Sequence, residues 1–371
     1  MAEMEQTQVV TRARETDLII GDRLHCLELS AGDQVEKRHV ISPLGLKIGR
    51  TEPAEIVIPD TEISRSHCMV VLKGDEVFVT DLGSTNGTFV DGEKVSGMVE
   101  LPLGSVLQVG NRFFKHECRT RTEFEQSEET ERELNRAANH LKELLPPPTR
   151  EGPLQAEWMY QPSVKLGGDA FGYGQLNDHQ YVCYLVDVSG HGPGAAMHSV
   201  AVMNQLRHKS LPNADMAKPE QVLAALNDLF QMEDHAGLYF TLWYGVFDTR
   251  NRQLDYASGG HHPAYLVPAD RSAAIPLQTR NVVIGAMPAM DFRQESVEVP
   301  PGASCYLFSD GVFEIVDKQG AQWTVDNFVE HILRPPIEGL TEPYRLFNAV
   351  RKSAQSKALE DDFALVVVKF D

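Results

Sequence analysis

The sequence predicts a multidomain chain in which an all-β sandwich is joined by a helical linker to an α+β domain, whose central β-sandwich is flanked by helices. Three observations predict this fold class. A length of 371 residues exceeds that of one typical domain. The first third reads as short strands separated by turns, and a run without glycine or proline follows it. The remainder mixes apolar strands with amphipathic helices.

Composition and charge exclude several classes of protein. Hydrophobic residues make up 42% and charged residues 23% of the chain, which is typical of folded domains and not of disordered or fibrous chains. The net charge of -19 has the wrong sign for a partner whose phosphates must be neutralised. We therefore expect no nucleic-acid partner and no anionic-membrane partner.

Cysteine usage and the amino terminus predict the compartment. The five cysteines are odd in number, widely separated and without a CxxC pair, which favours a reducing environment over a disulfide framework or a zinc site. The first ten residues, MAEMEQTQVV, are acidic where a signal peptide is basic, and no stretch of about 18 apolar residues follows. These features predict a cytoplasmic protein without a membrane span.

The amino-terminal part is expected to consist of a flexible tail at 1–19 and a β domain at 20–120. Strand-like runs such as LKIG, CMVVL and VFVT alternate with turns in the β domain. Asp91-Gly92 lies between two such runs, as the dipeptide of a tight hairpin turn does. Many short strands at this spacing predict an all-β sandwich.

Residues 121–150 predict a helical linker. The segment 122–145 contains no glycine or proline and ends at three consecutive prolines. Its second half carries four apolar residues at a 3-4 spacing: Leu134, Ala138, Leu141 and Leu145. Upstream, the same register reaches the polar residues Ser127 and Glu131. Two interpretations therefore remain open, a solvated spacer helix and a coiled coil that forms a homodimer.

The segment 151–371 predicts an α+β domain. Three apolar runs read as buried strands, at 180–188, 239–248 and 363–370. Helical spacing is found in three further segments, at 193–209, 218–233 and 341–356. Strands in neighbouring runs with grouped helices favour a sheet sandwich flanked by helices over a repeated βαβ unit.

Three polar fragments of the β domain supply donors that suit a phosphate group. They are Gly49-Arg50, Ser64-Arg65-Ser66-His67 and Ser84-Thr85-Asn86-Gly87-Thr88, and each falls at a strand end or in a loop. Guanidinium, hydroxyl and amide donors together bind a tetrahedral dianion strongly. In this order and spacing the fragments resemble the signature of the forkhead-associated (FHA) domain, an eleven-stranded β-sandwich, over about residues 20–118.

The FHA resemblance implies recognition of phosphothreonine in a partner protein, whose phosphate a Ser/Thr kinase would supply. Five residues of this chain match the family's phosphopeptide contacts: Arg50, Ser64, Arg65, Thr85 and Asn86. Asn86 is expected to hold the peptide backbone and not the phosphate. The same pattern makes His67 a structural residue.

Aspartates lie at the ends of several apolar strands in the third segment. They are Asp169, Asp187, Asp310 and the pair Asp361-Asp362. A carboxylate at the end of a buried strand must be paired, hydrated or bound to metal. Converging carboxylates repel one another, and a pair of hard divalent cations would neutralise them. Two such ions activate water and polarise a phosphoryl oxygen, which suits phosphoester hydrolysis without a covalent nucleophile.

Seven motifs run in order through about residues 145–371. They are LLPPP, YQPSVKLGGDAF, YLVDVSGHGPGAA, FTLWYGVFD, YASGGHHPAY, VPPGASCYLFSDGVFE and DDFALVVVK. The set resembles the metal-dependent protein phosphatase (PPM) family, in its bacterial SpoIIE-like and RsbU-like branch. The resemblance implies an α+β PPM fold and two divalent cations, Mn²⁺ or Mg²⁺.

By this resemblance, the catalytic set is Asp169, Asp187, Asp310 and Asp361. Asp187 would bridge both metal ions, and the backbone carbonyl of Val188 would assist. Asp169 would support one ion, and Asp310 with Asp361 would support the other. Asp362 is the alternative metal ligand to Asp361.

The chain departs from the family pattern at three positions. Gly172 stands where GGDFYD has its second aspartate, Ala364 stands where DDxT has threonine, and Ala303 stands where PGD has aspartate. None of these changes removes an expected metal ligand. They nevertheless keep open an alternative, a catalytically weak or inactive scaffold that binds phosphoproteins.

Together the two resemblances predict a bacterial phosphatase that hydrolyses phosphoserine or phosphothreonine and docks phosphothreonine proteins through its FHA domain. The SpoIIE-like branch further implies a substrate class. That substrate is a phosphorylated anti-sigma-factor antagonist of the STAS type, in a partner-switching pathway. This last step follows from family analogy and not from residue chemistry.

Overall fold

The computed structural model describes residues 22–31, 34–356 and 359–371, and the chain divides into two units, Met1–Arg132 and Glu133–Asp371. Each unit has its own hydrophobic core. The flexible tail expected at 1–19 lies outside the described residues. Within the described part of the chain, no helix has both the length and the apolar character needed to cross a membrane.

The first unit contains eleven strands among its described residues. They are β1 (Arg23–Ala31), β2 (Gln34–Val40), β3 (Leu46–Gly49), β4 (Ile56–Val57), β5 (Cys68–Lys73), β6 (Glu76–Asp81), β7 (Thr88–Val90), β8 (Glu93–Lys94), β9 (Met98–Glu100), β10 (Val106–Val109) and β11 (Arg112–Thr120). One sheet has the order β2-β1-β11-β10-β7-β8, and the other has the order β4-β3-β5-β6-β9. Both sheets contribute to one core, so the predicted β-sandwich is confirmed.

Buried and partly exposed side chains alternate along the strands of this sandwich. In β5, Cys68, Val70 and Leu72 are buried, and the residues between them are partly exposed. Asp91 and Gly92 join β7 to β8 as a two-residue loop with φ values of 48° and 85°. Two successive positive φ values are typical of a type I′ turn. The hairpin predicted at this dipeptide is therefore confirmed.

Helix α1 (Arg121–Leu144) follows β11 directly, within the segment where the sequence predicts a helix. None of its residues is buried. Near its start, Phe124 packs against Leu24 and Cys26 of the first unit. At its other end, Leu144 belongs to the second unit and packs against the core of that unit. The helix ends before Pro146, since proline cannot continue the hydrogen-bond pattern.

The second unit holds two five-stranded sheets and four further helices among its described residues. Its strands are β12 (Leu154–Gln161), β13 (Ala170–Gln175), β14 (Gln180–Val188), β15 (Phe240–Asp248), β16 (Gln253–Gly259), β17 (Ala264–Val267), β18 (Ile275–Leu277), β19 (Glu295–Glu298), β20 (Ser304–Phe308) and β21 (Phe363–Phe370). Its helices are α2 (Pro193–Arg207), α3 (Pro219–Leu229), α4 (Val325–Leu333) and α5 (Glu342–Ser353). The sheets have the orders β12-β21-β20-β17-β18 and β13-β14-β15-β16-β19.

Helices cover both sheets of the second unit. Helices α2 and α3 pack on the sheet that contains β14 and share the main core with it. Helices α4 and α5 pack with β20 and β21 in a second cluster. The predicted β-sandwich flanked by helices is therefore confirmed. Helix α4 was not predicted, although its capping box of Thr324 and Asn327 is a helix-start signal that the sequence contains.

A buried ion network fixes the start of α5. Glu342 accepts hydrogen bonds from Arg345 at 2.6 and 2.7 Å and from Arg271 at 2.9 Å. The side chains of Glu342, Arg345 and Arg271 are only 10%, 5% and 18% exposed. Burial acts to raise the pKa of the Glu342 carboxyl, but the hydrogen bonds from the two guanidinium groups outweigh it and hold the pKa below its usual value.

The substitution Glu342→Gln is expected to destabilise the second unit by about 3 kcal/mol, because two buried guanidinium charges lose their counter-charge. A domain of this size should then melt roughly 6–12 °C lower. The second unit contains all three tryptophans of the chain, so their fluorescence follows the thermal unfolding of this unit: Trp158, Trp243 and Trp323.

The control for this variant is Glu143→Gln, the same chemical change at an exposed pair. Glu143 lies 3.9 Å from His140, and its side chain is 78% exposed. Exposed pairs contribute little, so the control should stay within about 0.5 kcal/mol of wild type. Equal melting temperatures for the two variants would show that the Glu342 network does not stabilise the unit.

Candidate functional site

Four carboxylates lie at strand ends of the second unit, and the pairing of the strands brings them together as two pairs. The antiparallel pair β13–β14 places Asp169, just before β13, across from Asp187 near the end of β14. The antiparallel pair β20–β21 keeps the segments that carry Asp310 and Asp361 next to each other. These four residues are called the acidic centre below.

Glycines allow the segments of the acidic centre to approach one another. A Cβ atom on Gly168 would lie 2.8 Å from the carbonyl oxygen of Val188. A Cβ atom on Gly311 would collide with the carbonyl oxygen of Asp362. Only glycine fits such close backbone contacts. The GGD and SDG sequences therefore set the positions of the aspartates that they contain, Asp169 and Asp310.

Burial and mutual repulsion raise the pKa of each carboxyl group in the acidic centre. Burial and then the charge of Asp187 hold the pKa of Asp169 well above its usual value. Burial, with Asp310 and Asp361 as the next causes, raises the pKa of Asp187 to about 8. Burial and Asp361 raise the pKa of Asp310 to about 6. Desolvation by the surrounding protein also raises the pKa of Asp361, although its side chain keeps contact with solvent, and a hydrogen bond from the Asp362 backbone acts in the opposite direction.

The oxygen donors of the acidic centre fit hard divalent cations. The Oδ2 atom of Asp169 is buried and has no hydrogen-bond partner among the described residues. Such an oxygen is costly unless a cation or a water contacts it, and carboxylate sets suit Mg²⁺ and Mn²⁺. Across residues 22–31, 34–356 and 359–371, no three His, Cys, Asp or Glu side chains lie close enough to enclose an ion by themselves. With water completing the shell, one or two of these carboxylates would hold an ion in the way that Mg²⁺ is usually held.

Asp361 and Asp362, which the sequence leaves as alternatives, have different surroundings. Asp361 is exposed, and its Oδ1 atom accepts the backbone N–H of Asp362 at 2.7 Å. Asp362 is only 3% exposed. Its Oδ1 atom accepts the backbone N–H of Ser163 at 2.7 Å and the Ser163 hydroxyl at 3.0 Å, and its Oδ2 atom accepts the N–H of Gly168 at 2.7 Å. The lone pairs of Asp362 are thus directed at the loop before β13.

Glu314 adds a fifth carboxylate, which the sequence alone does not single out. Its backbone N–H donates to the carbonyl of Asp310 at 2.8 Å, one turn along the chain. After burial and the nearer aspartates, its charge is a further cause of the raised pKa values of Asp187 and Asp310. The SDGVFE motif does contain a signal for Glu314. This residue follows Asp310 by four positions, and residues four apart lie on one side of a helical turn.

The departure from the family pattern at Gly172 has a structural counterpart. Gly172 pairs with Tyr184 across β13 and β14, and a Cβ atom on Gly172 would collide with the Tyr184 ring. Tyr184 in turn stacks on Tyr244, with ring centroids 6.1 Å apart. Aromatic core therefore fills the space that the second aspartate of GGDFYD would take. Ala303 and Ala364 are fully buried, so small apolar residues fit the core there.

Cys183, Cys305 and His261 are core residues. Burial raises the pKa of the Cys183 thiol to about 12, and Cys305 is fully buried as well. Burial lowers the pKa of His261 to about 4. These environments disfavour both a nucleophilic thiolate and a charged imidazolium.

In the first unit, the structure brings the five predicted phosphopeptide contacts into one cluster of loops. The backbone N–H of Arg50 donates to the carbonyl of Ser64 at 2.9 Å. The Ser64 hydroxyl lies 3.3 Å from the Thr85 hydroxyl and accepts the Thr85 N–H at 3.0 Å. The Asn86 side-chain amide donates to the Glu62 carbonyl at 2.8 Å. Arg65 is exposed beside Ser64.

His67 and Asp81 hold these loops in place. His67 is fully buried, accepts the N–H of Ser64 at 3.2 Å, and reaches the carbonyl of Gly87 at 3.1 Å. Asp81, which the sequence alone does not single out, accepts hydrogen bonds from Ser84 and Thr88. Burial acts to raise the pKa of Asp81, but these hydrogen bonds lower it below its usual value.

Two family models match the chain, one in each unit. Residues 177–371 match the family described as Stage II sporulation protein E (SpoIIE), and residues 46–110 match the FHA domain. The first match includes Asp187, Asp310 and Asp361, and the second includes all five predicted phosphopeptide contacts.

Individual relatives align with each part of the chain. "Phosphoserine phosphatase RsbP" of Bacillus subtilis is 28% identical over 241 residues, which are 65% of this chain and 59% of RsbP. The chain therefore spans less than two thirds of that relative. "FHA domain-containing protein FhaB" of Mycobacterium tuberculosis is 34% identical over 84 residues, which are 23% of this chain and 54% of FhaB.

A solved structure shares the fold of the second unit. The SiaA-PP2C domain of Pseudomonas aeruginosa has a TM-score of 0.57 and 18% sequence identity, and the match covers 66% of this chain and 99% of that one. At this identity the likeness shows the fold alone. The SpoIIE model, in contrast, matches more than half of the chain. The chain therefore belongs to the SpoIIE family, with a PPM-type phosphatase domain that follows an FHA domain.

Proposed function

We propose that this protein is a metal-dependent phosphatase that removes phosphate from phosphoserine or phosphothreonine in a partner protein. The observation that carries the proposal is the acidic centre, whose four carboxyl groups have raised pKa values and include a buried Asp169 oxygen that lacks a hydrogen-bond partner among the described residues. Membership of the SpoIIE family supports the same chemistry.

Two divalent cations, Mn²⁺ or Mg²⁺, would be held by the acidic centre. Asp187 is central, because the charges of Asp310 and Asp361 both act on it, and the Val188 carbonyl follows it directly. Asp169 would hold one ion, and Asp310 with Asp361 would hold the other. When bound, such a pair activates water and polarises the phosphoryl group.

The residues of the chain would then orient the bound ions and neutralise part of their charge. The strand ends fix the carboxylates, so little reorganisation is needed when an ion or a phosphate arrives. Asp361 is exposed, so this side of the centre is open to a substrate. No side chain needs to become a nucleophile, which agrees with the raised pKa of the Cys183 thiol.

The FHA domain is proposed to dock phosphothreonine proteins. Ser64 and Thr85 supply hydroxyl and amide donors, and Arg50 and Arg65 supply positive charge at the same loops. Neither guanidinium group forms an ion pair with a described residue, so both remain available to a phosphate. Lys94 adds a third cation, because its Cε atom would lie 2.9 Å from a Cβ atom on Gly87.

The substrate is proposed to be a phosphorylated STAS-type anti-sigma-factor antagonist in a partner-switching pathway. The name of RsbP, phosphoserine phosphatase, supports a phosphoprotein substrate. A Ser/Thr kinase would phosphorylate the FHA ligand. Helix α1, none of whose residues is buried, is the proposed site of homodimer formation. The five free cysteines support a reducing cytoplasm as the location.

Removing a ligand from the acidic centre should abolish phosphatase activity. The full chain with Mn²⁺ should release phosphate from p-nitrophenyl phosphate and from a phosphorylated STAS protein. Asp187→Asn and Asp310→Asn should each lower kcat/KM at least about 100-fold, because each removes charge that holds the ions. The control Asp178→Asn changes an exposed aspartate of the same unit and should retain full activity.

The alternative of an inactive scaffold makes the opposite prediction. In that case the wild-type chain would release no phosphate with either metal, and would still bind the phosphorylated STAS protein. Full activity in both Asp→Asn variants would instead show that the acidic centre is not the site of hydrolysis.

Phosphothreonine binding should depend on Arg50 and Ser64. Arg50→Ala is expected to weaken binding of a phosphothreonine peptide about 10- to 100-fold, because charge-assisted hydrogen bonds contribute about 1.5–3 kcal/mol. Fluorescence anisotropy measures this affinity, with the unphosphorylated peptide as a blank. Lys115→Ala is the matched control, since Lys115 is paired with Glu117 on β11. An equal loss in both variants would point to a general charge effect.

Repulsion between the carboxylates of the acidic centre should make the stability of the metal-free protein depend on pH. The pKa of Asp187 is raised from 3.8 to about 8. A raised folded-state pKa contributes stability at low pH that is lost as the pH rises through about 8. Asp187→Asn should therefore stabilise the metal-free chain relative to wild type by at least about 1 kcal/mol more at pH 8 than at pH 5.5.

Urea denaturation followed by tryptophan fluorescence measures this difference, with a chelator present. Comparison with the variant cancels the contribution of the histidines, which titrate over the same range. Excess Mn²⁺ should reverse the order and make wild type the more stable protein. If the stability difference between Asp187→Asn and wild type were the same at pH 5.5 and pH 8, the proposed repulsion would be contradicted.

A further inference from the structure

We propose that Asp362 is not a metal ligand and instead positions the ligands, by tying together three of the segments that form the acidic centre. This inference rests on the proposed function, because it assigns a role within the same site. It is carried by the hydrogen bonds of Asp362, and by Gly167 and Gly311, whose lack of a side chain permits the close approach of Asp362.

The side chain of Asp362 binds the loop that leads to Asp169. Three hydrogen bonds reach its two oxygens from Ser163 and Gly168, at 2.7 to 3.0 Å. Gly168 is the residue immediately before Asp169, so its N–H bond to Asp362 fixes the backbone from which the Asp169 side chain extends. A Cβ atom on Gly167 would collide with Asp362 Oδ2, which shows how tightly the loop wraps this carboxylate.

The backbone of Asp362 binds the two other segments. Its carbonyl oxygen accepts the Ser309 hydroxyl at 3.0 Å, and Ser309 precedes Asp310. Its N–H donates to Asp361 Oδ1 at 2.7 Å, which orients the Asp361 carboxylate. One buried residue thus contacts the segments of Asp169, Asp310 and Asp361.

The hydrogen bonds leave Asp362 poorly suited to bind an ion. A carboxylate that accepts three donors has most of its lone pairs occupied. Asp362 is also 3% exposed, whereas Asp361 is exposed. Residues that hydrogen-bond around a metal site orient its ligands, and their loss typically lowers metal affinity about 10- to 100-fold.

The test uses the full chain and the isosteric variant Asp362→Asn. The amide keeps one acceptor oxygen and places an NH₂ group where the second oxygen was, so one loop N–H or hydroxyl loses its acceptor. Ser163→Ala is a milder variant that removes only the hydroxyl bond. Asp361→Asn serves as the ligand variant, and Asp178→Asn serves as the exposed control.

Hydrogen–deuterium exchange of the metal-free chains is the first measurement. Asp362→Asn should exchange about tenfold faster than wild type in segment 163–169, and Ser163→Ala should show a smaller increase. Asp361→Asn and Asp178→Asn should match wild type there. An unchanged rate in Asp362→Asn would overturn the proposal. This readout needs no metal, so it decides the positioning role even if the proposed phosphatase function fails.

Calorimetric titration with Mn²⁺ is the second measurement. Asp362→Asn should still bind the same number of ions as wild type, with affinity lowered about tenfold or more. Asp361→Asn should bind fewer ions. Loss of an ion in Asp362→Asn, with unchanged exchange in 163–169, would make Asp362 a ligand. Absence of Mn²⁺ binding in wild type would refute the proposed function and leave the exchange result to stand alone.

Discussion

The second unit depends on one electrostatic constraint, the crowding of four carboxylates at neighbouring strand ends, from the buried Asp169 to the exposed Asp361. Each group in the acidic centre has its pKa raised by burial and by its neighbours. Charged carboxylates in such a place repel strongly unless cations are present. The β-sandwich provides the force that holds them, because each aspartate is fixed to a strand end whose apolar residues belong to the core. Folding thus stabilises an arrangement whose repulsion the proposed divalent cations would relieve.

The side chains proposed to meet phosphate have opposite charges in the two units. In the first unit, arginines and hydroxyl groups would contact the proposed phosphate directly, although the chain as a whole carries a net charge of -19. In the second unit, carboxylates would repel a phosphate, and the proposed divalent cations would lie between the two. The placement of a few charges therefore decides how each unit meets phosphate. The net charge alone excludes only partners that need a broad basic surface.

Much of the fold could be predicted from the sequence. Apolar runs predicted β14, β15 and β21, and the Asp91-Gly92 dipeptide predicted a hairpin turn. The motifs named the residues that the structure brings together in each unit. Their metal-binding and phosphopeptide-binding roles remain predictions.

The sequence could not supply features that depend on contacts between distant segments. The roles of Asp361 and Asp362 could not be separated, since their difference lies in hydrogen bonds from a loop about 200 residues away in the chain. Asp81 and Glu314 were not singled out although their contacts are local: Asp81 accepts hydrogen bonds from Ser84 and Thr88, and Glu314 lies one turn after Asp310. Helix α4 was missed because it is short, and its amphipathic face meets a partner distant in sequence.

The central claim is that the acidic centre holds two divalent cations. A crystal structure of the chain grown with Mn²⁺, with anomalous diffraction recorded at the manganese edge, tests it most directly. The account predicts two anomalous peaks a few ångströms apart, bounded by Asp169, Asp187, Asp310 and Asp361 and with Asp362 outside their shells. A map without peaks at this position, or with peaks coordinated by other residues, would contradict it.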